Sequence, residues 1–174
     1  SFPSIVAQNL MIILQSDFSR DGEKSTKKKR FLSQRFTFSS DFDENGVLYW
    51  LGTSGGKEKH KNPADSGKIH VDISHKLYSK DMKVRDIVAR RATQPTYWGS
   101  TAPQWFVVDL GADYKLLADH YTLRHGYQHA NSYLQNWVLE GSNDNETWSE
   151  LHEGGETPFN KGYDTKSFGI KDGK

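Results

Sequence analysis

Almost the whole chain is divided into short apolar runs separated by turn residues, a rhythm that long helices cannot satisfy and stacked or rolled β-sheets can. The runs are "LMIILQS" (10–16), "RFTFSS" (35–40), "VLYWLGT" (47–53), "KIHVDIS" (68–74), "WFVVDLG" (105–111), "DHYTLRH" (119–125), "NWVLEGS" (136–142), "TWSELHE" (147–153) and "TKSFGI" (165–170). Each is predicted as a strand. The stretch "WVLEGSNDNETWSEL" (137–151) is the clearest. Trp137, Leu139 and Gly141 alternate with Val138, Glu140 and Ser142, and a run carrying Trp148 and Leu151 follows a polar turn. Asn143, Asp144 and Asn145 suit that turn because their short side chains bond the nearby backbone and tolerate positive φ. The pattern predicts a hairpin with Trp137 and Trp148 turned inward. Only "KDMKVRDIVAR" (80–90) has helical spacing, through Met82, Val84, Ile87 and Val88.

A chain of 174 residues with 34% hydrophobic and 13% aromatic side chains is long enough for one well-buried domain and short for two. Its net charge of +1 provides no general attraction to nucleic acid or membrane, so no nucleic-acid partner is expected. The charge is uneven: residues 20–35 are strongly basic, and 140–156 are acidic without a Lys or Arg. The basic run, densest over 24–30, reads as a solvated loop. There is no cysteine, which excludes disulfides and thiolate metal sites and fits a cytoplasmic or otherwise intracellular protein. "IVAQNLMIIL" (5–14) is interrupted by Gln8 and Asn9 and is shorter than the roughly 20 residues of a membrane span, so it reads as a buried strand. Opening at "SFPS" without methionine, the sequence reads as an excerpt of a longer chain.

The segments "WFVVDLG", "YTLRHGY" and "LQNWVLEGSNDNETWSEL", in that order, resemble the discoidin or coagulation-factor C-type family. Residues 42–53 ("FDENGVLYWLGT"), the "NP" pair at 62–63 and "TLRH" at 122–125 are similar to an intracellular subgroup found in HECT-type ubiquitin ligases and BTB-domain proteins. The likeness spans residues 36–170. It implies an all-β, antiparallel jelly-roll sandwich or barrel of the galactose-binding-like kind, over residues 36–174, with 1–35 an N-terminal extension or extra strand. It further implies a non-catalytic module that binds protein partners and needs no cofactor. The chain departs from the family at "KHKNPA" (59–64), where an aromatic usually precedes the "NP" pair. The family also continues for one or two more strands. A chain lacking them is expected to leave a sheet edge that something must cover.

Three patterns suggest chemistry and are outweighed. "GTSGG" (52–56) satisfies the G-x-S-x-G nucleophile pattern after a predicted strand, but "KEKHKNPADSG" cannot supply the helix that should follow Ser54. "DFDENG" (41–46) places Asp41, Asp43, Asn45 and Gly46 like half a calcium loop, yet the twelfth position is Gly52 rather than a bidentate Glu. An Asn-Gly turn joining two strands explains those residues. His120, His125 and His129 suggest zinc, but Gly126 and the surrounding residues read as loop, and no acidic ligand completes a site. No metal is expected.

Recognition remains. Loops at the end of a rigid sheet are where binding residues tend to sit. Residues 90–104 and 124–135 are rich in arginines and aromatics of the kind enriched at interfaces. The expected partner-binding residues are Arg90, Arg91, Tyr97, Trp98, Arg124, His125, Tyr127, His129 and Tyr133. Two other roles compete: the aromatics as plugs of a barrel end, and Arg124 as the partner of a buried acid such as Asp109 or Asp119. Among functions, a protein-interaction module leads. The alternatives are a carbohydrate-binding module that stacks sugar on Trp98 or Tyr97 and, remotely, a serine hydrolase acting through Ser54.

Overall fold

The computed structural model describes residues 34–74, 83–91, 104–126, 134, 136–155 and 159–170, together with the backbone of 11–15. Among these, seven strands form two sheets: β1 (Met11–Gln15), β2 (His70–Ile73), β3 (Phe106–Asp109), β4 (His120–Arg124), β5 (Trp137–Ser142), β6 (Ser149–Gly154) and β7 (Thr165–Gly169). The larger sheet runs β2-β3-β1-β5-β6, and the smaller one pairs β4 with β7. With so little helix, this is the all-β class that the segmentation implied. The pairs β2–β3, β5–β6 and β4–β7 are antiparallel, whereas β1 lies parallel to both neighbours, with Ile12 opposite Phe106 and Leu139. A segment near the start of the sequence thus supplies the middle strand of the larger sheet.

The core has two parts. One joins the sheets through Leu123 of β4, Trp137 and Leu139 of β5, Phe159 and Ile170. The other lies against β2 and β3 and holds Leu51, Ile69, Val71, Val108 and Leu110. Phe106 packs against both. In β5 the alternation forecast from the sequence is realised, with Trp137 and Leu139 fully buried. The neighbour directly across from Trp137 is Gly154. A Cβ there would overlap the indole, so only glycine lets the two strands close over so large a ring. Trp148 stands just before β6 and is half-buried, and the register puts Gly154 rather than Trp148 across from Trp137.

The indole is also anchored at its polar end. Trp137 Nε1 donates to the Tyr121 hydroxyl at 2.7 Å, and that oxygen lies 2.7 Å from His152 Nδ1. An indole can only donate, so the phenol oxygen accepts there, and the tautomer of His152 sets which way the second bond runs. Burial pushes the Tyr121 hydroxyl up to about 12, against the opposing effect of the tryptophan bond. The hairpin turn is built as expected: Asp144 Oδ1 accepts from the Thr147 N–H at 2.7 Å and the Glu146 N–H at 2.9 Å, and Asn145 takes φ +61°. These bonds, the Thr147 N–H foremost, hold the Asp144 carboxyl well below its ordinary value.

Two strand expectations fail. "VLYWLGT" contributes a helix, α1 (Val47–Gly52), in place of a strand. Val47, Leu48, Trp50 and Leu51 all pack against the second core cluster, a set that a strand with alternating faces could not bury together. "RFTFSS" forms no regular element: Phe36 packs edge-on against Trp50, Phe38 stacks on His120, and the Ser39 and Ser40 N–H groups turn to Asp43 instead of to a neighbouring strand. The Asn-Gly hairpin expected at 45–46 is accordingly absent, and Gly46 caps α1. The helical spacing at 80–90 is realised as a short 3-10 helix, Val84–Val88.

Trp137→Ala should cost about 3–5 kcal/mol in denaturant melts, the range for deleting a large core aromatic. Gly154→Ala should lower the midpoint as well, by about 1–3 kcal/mol of overpacking. Tyr121→Phe, which strands the buried indole N–H, should cost about 1–3 kcal/mol. An unchanged midpoint for Gly154→Ala would contradict the close approach of β6 to the indole.

Candidate functional site

The loop preceding α1 is organised by one carboxylate. Asp43 Oδ2 accepts from the Ser39 N–H at 2.8 Å and the Ser39 hydroxyl at 2.9 Å, and Oδ1 accepts from the Asn45 N–H at 2.9 Å. Burial pushes this carboxyl up, but the hydrogen bonds from Asn45, Ser39 and Ser40 outweigh it and hold it at about 2. The calcium-like pattern of the sequence is therefore an Asp-centred turn. Among the described residues no group of three or more His, Asp or Glu is placed to hold a metal ion.

This turn presents Phe42, at φ +61°, to two arginines from distant segments. The Arg124 guanidinium, from the end of β4, lies 3.6 Å from the centre of the Phe42 ring, and that of Arg90 lies 4.8 Å away. Arg90 also covers Tyr49 of α1 at 4.9 Å, and Tyr49 stacks on His60. Backbone carbonyls fix both cations: Arg90 donates to the Asp43 and Phe42 oxygens at 2.9 and 3.1 Å, and Arg124 to the Arg90 oxygen at 3.1 Å. Arg124 Nε further donates to the Thr165 hydroxyl at 3.0 Å. Glu44 lies 3.7 Å from Arg90. Burial and the neighbouring charge of Arg90 both lower the pKa of Arg124. The same two causes, burial first, push His60 down, against a smaller opposing pull from Glu44, while a hydrogen bond to Glu44 pushes Tyr49 up.

Beside this cage opens a cavity of about 1180 Å³ that reaches between the two core clusters. Its lining runs from Phe36 and Val47 through Phe106, Val108 and Leu110 to every residue from Ala112 to Gly126. Arg90 and Arg124 border it, and the exposed apolar side chains Phe38, Tyr114 and Leu117 also line it.

Of the residues singled out from sequence, Arg90 and Arg124 come together, and Arg124 meets an aromatic ring rather than Asp109 or Asp119. Arg91 is exposed. His125 is buried, with its ring 6.4 Å from that of Phe159. Tyr97, Trp98, Tyr127, His129 and Tyr133 lie outside the described residues. Sequence reasoning missed Phe42, Tyr49 and His60; the one available signal was Asp43 followed by Asn45, a side-chain-bonded turn that aims the residue between Asp41 and Asp43. Ser54 follows a helix where a strand was expected, at φ +53° in the turn that ends α1. Lys68 Nζ donates to its hydroxyl at 2.8 Å and to the Leu51 carbonyl at 2.7 Å, which makes the pair a helix terminus. The strand–nucleophile–helix order needed for a nucleophile elbow is not met.

The sequence profile of the F5/8 type C domain matches residues 81–171, more than half of the chain. The chain belongs to the F5/8 type C domain family. This domain is 35% identical over 117 residues to the E3 ubiquitin-protein ligase Ufd4 of Drosophila melanogaster. It is 32% identical over 139 residues to a BTB/POZ domain-containing protein of Arabidopsis thaliana, and 32% over 114 residues to the E3 ubiquitin-protein ligase hecd-1 of Caenorhabditis elegans. These alignments cover 67%, 74% and 64% of the chain but only 4%, 17% and 4% of the relatives. The ligase and BTB subgroup is the one the sequence resemblance pointed to. No solved structure gives a significant match. Among the described residues no helix is long and apolar enough to cross a membrane.

The Asp43 carboxyl sits below its unfolded value, so its contribution to the turn is complete above about pH 4 and is lost as the pH falls through about 2. Amide exchange at Ser39 and Asn45 should accelerate over that window, and Asp43→Asn should remove the transition. Arg124→Lys, which keeps the charge but not the flat guanidinium over Phe42, should cost about 1 kcal/mol in melts.

Proposed function

We propose that this F5/8 type C domain is a non-catalytic protein-binding module of a larger intracellular protein of the ubiquitin-ligase or BTB-adaptor kind. The observation that carries the reading is the arginine–aromatic cage of Phe42, Arg90 and Arg124 beside an apolar cavity with Phe38, Tyr114 and Leu117 on its lining. Exposed apolar area next to fixed planar cations is the composition of protein interfaces. Backbone carbonyls hold both guanidiniums, so little side-chain entropy is left to lose on binding. Two of the three relatives described are E3 ubiquitin-protein ligases and the third contains a BTB/POZ domain, and in each the aligned region is a small fraction of the whole. A module of this size within such chains supplies a contact, and the Ser54 hydroxyl is engaged at a helix end.

In this reading Arg90 and Arg124 shape the face, while Arg91 and Trp98 touch the partner. Arg91→Ala and Trp98→Ala should each weaken capture of partner proteins from cell extract by about 2 kcal/mol or more, as interface hot spots do. Ser54→Ala should change nothing. Melts of each variant establish that the fold survives. Unchanged capture by folded Arg91→Ala and Trp98→Ala, or competition by a simple sugar at millimolar concentration, would count against the proposal.

A further inference from the structure

The Asn-Gly pair at 45–46 makes no hairpin, which leaves its reactivity to be accounted for. Asn45 is the chain's one asparagine followed by a glycine. An asparagine carries its side-chain amide carbon within reach of the next main-chain nitrogen, and a β-carbon on that next residue crowds the approach. Gly46 has none. Both residues are exposed, and a Cβ built at Gly46 would meet no atom within 4 Å. Among the described residues the Gly46 N–H bonds to no acceptor. Gly46 is extended, at φ −85° and ψ 161°, so Asn45 stands outside α1, whose first bond runs from the Trp50 N–H to the Gly46 carbonyl at 3.0 Å.

The side chain of Asn45 is tied into the Asp43 turn by its nitrogen. Nδ2 donates to the Ser39 hydroxyl at 3.0 Å and to Asp43 Oδ2 at 3.4 Å. These bonds lie at the exposed surface, where water replaces a partner at little net cost, so they delay rotation of the amide and do not prevent it. A carboxylate in the same place would reverse the contact. It would have no proton for Ser39, and it would set a second negative charge against Asp43, the group that accepts from the Ser39 and Asn45 N–H groups.

We propose that the Asn45–Gly46 link is a site of spontaneous deamidation that loosens the Asp43 turn. The Gly46 nitrogen gives its proton to solvent and bonds to Asn45 Cγ, while the Cγ–Nδ2 bond breaks and Nδ2 leaves as ammonia. Water then opens the cyclic imide at one of its two carbonyls and a proton returns to the Gly46 nitrogen, with no oxidation or reduction. Opening at Cγ leaves aspartate at 45. Opening at the main-chain carbonyl leaves isoaspartate, which adds a methylene to the backbone just ahead of the first bond of α1. The change needs no partner and does not depend on the binding-module reading. It acts on the turn that presents Phe42 to Arg90 and Arg124.

The test ages the folded chain of residues 1–174 in mildly alkaline buffer at physiological temperature and digests it with trypsin beside an unaged sample. Cleavage after Arg35 and Lys57 releases Phe36–Lys57, in which Asn45 is the one asparagine. Ageing should convert this fragment into two new species, each heavier by about 1 Da as an amide NH2 becomes OH. Gly46→Ala should slow the conversion about tenfold or more through crowding by the new Cβ, and its melting should match the parent's because φ and the surrounding space suit alanine. Asn45→Gln, whose ring would need one more atom, should leave the fragment unchanged. Asn45→Asp, which installs one product, should speed amide exchange at Ser39 about fivefold, the factor given by about 1 kcal/mol between unit charges about 4 Å apart in water. A fragment left unmodified in the aged folded chain would overturn the proposal, and conversion of a free peptide of residues 36–57 in parallel would assign the protection to the Ser39 and Asp43 bonds. Equal conversion in Gly46→Ala would overturn it too, as would Ser39 exchange that Asn45→Asp does not alter.

Discussion

The hydrogen bond from the Trp137 indole to the Tyr121 phenol joins the two sheets, and much of the interior is arranged around it. Trp137 belongs to the larger sheet and Tyr121 to the smaller, and His152, from the larger sheet again, lies within hydrogen-bonding distance of the same phenol oxygen. A fully buried indole N–H with no acceptor would cost about 1–3 kcal/mol, so the phenol has to be there. The same oxygen shares a second hydrogen bond with His152 Nδ1. Around this polar line Phe159 and Phe168 pack against the indole, with ring centres 6.1 and 4.9 Å away. The directional bond sets where the sheets meet, and the aromatic area supplies the driving force.

The second organising device is the segment from Gln34 to Thr53, which meets β4 through Phe38 and Phe42. Among the described residues it pairs with no strand, and its backbone is bonded by Asp43 at the turn, by the helix in α1 and by Arg90. At the helix end the Thr53 hydroxyl and Lys68 contribute. Gly52 lies where a side chain would sit 2.6 Å from the His60 ring, which lets the helix end close against the following loop. Phe38 on His120 and Phe42 under Arg124 then fasten the segment to β4 at both ends. Beside it lies the cavity between the two parts of the core. This chain brings a cation pair held by carbonyls and exposed apolar surface into one neighbourhood.

Strand identity was legible where one face is buried and the other is not. "NWVLEGS" alternates at its start because the core touches one side of it, and it is a strand, as are "WFVVDLG" and "DHYTLRH". The turn at 143–145 was legible because Asp144 and Asn145 act through bonds to their own neighbours. "VLYWLGT" misled because an apolar run this short fits either period, and the choice was made by a core cluster assembled from residues far along the chain. Trp148 misled for the reverse reason. Its position mirrors Trp137 in the sequence, but the register of β6 brings Gly154 opposite the indole.

Sequence by itself determined the all-β class, the hairpin, the family, and that arginines and aromatics are the chemically notable side chains, because those properties follow from local periodicity, turn chemistry and residue type. Tertiary structure decided which arginines meet and what they cover. Arg124 lies over Phe42, far from it in the chain, because β4 and the Asp43 turn meet there, and no local pattern encodes that meeting. The parallel insertion of β1 between β3 and β5 likewise depends on which strands find partners far along the chain. Pairing is a long-range choice made by burial, whereas periodicity is read from neighbours.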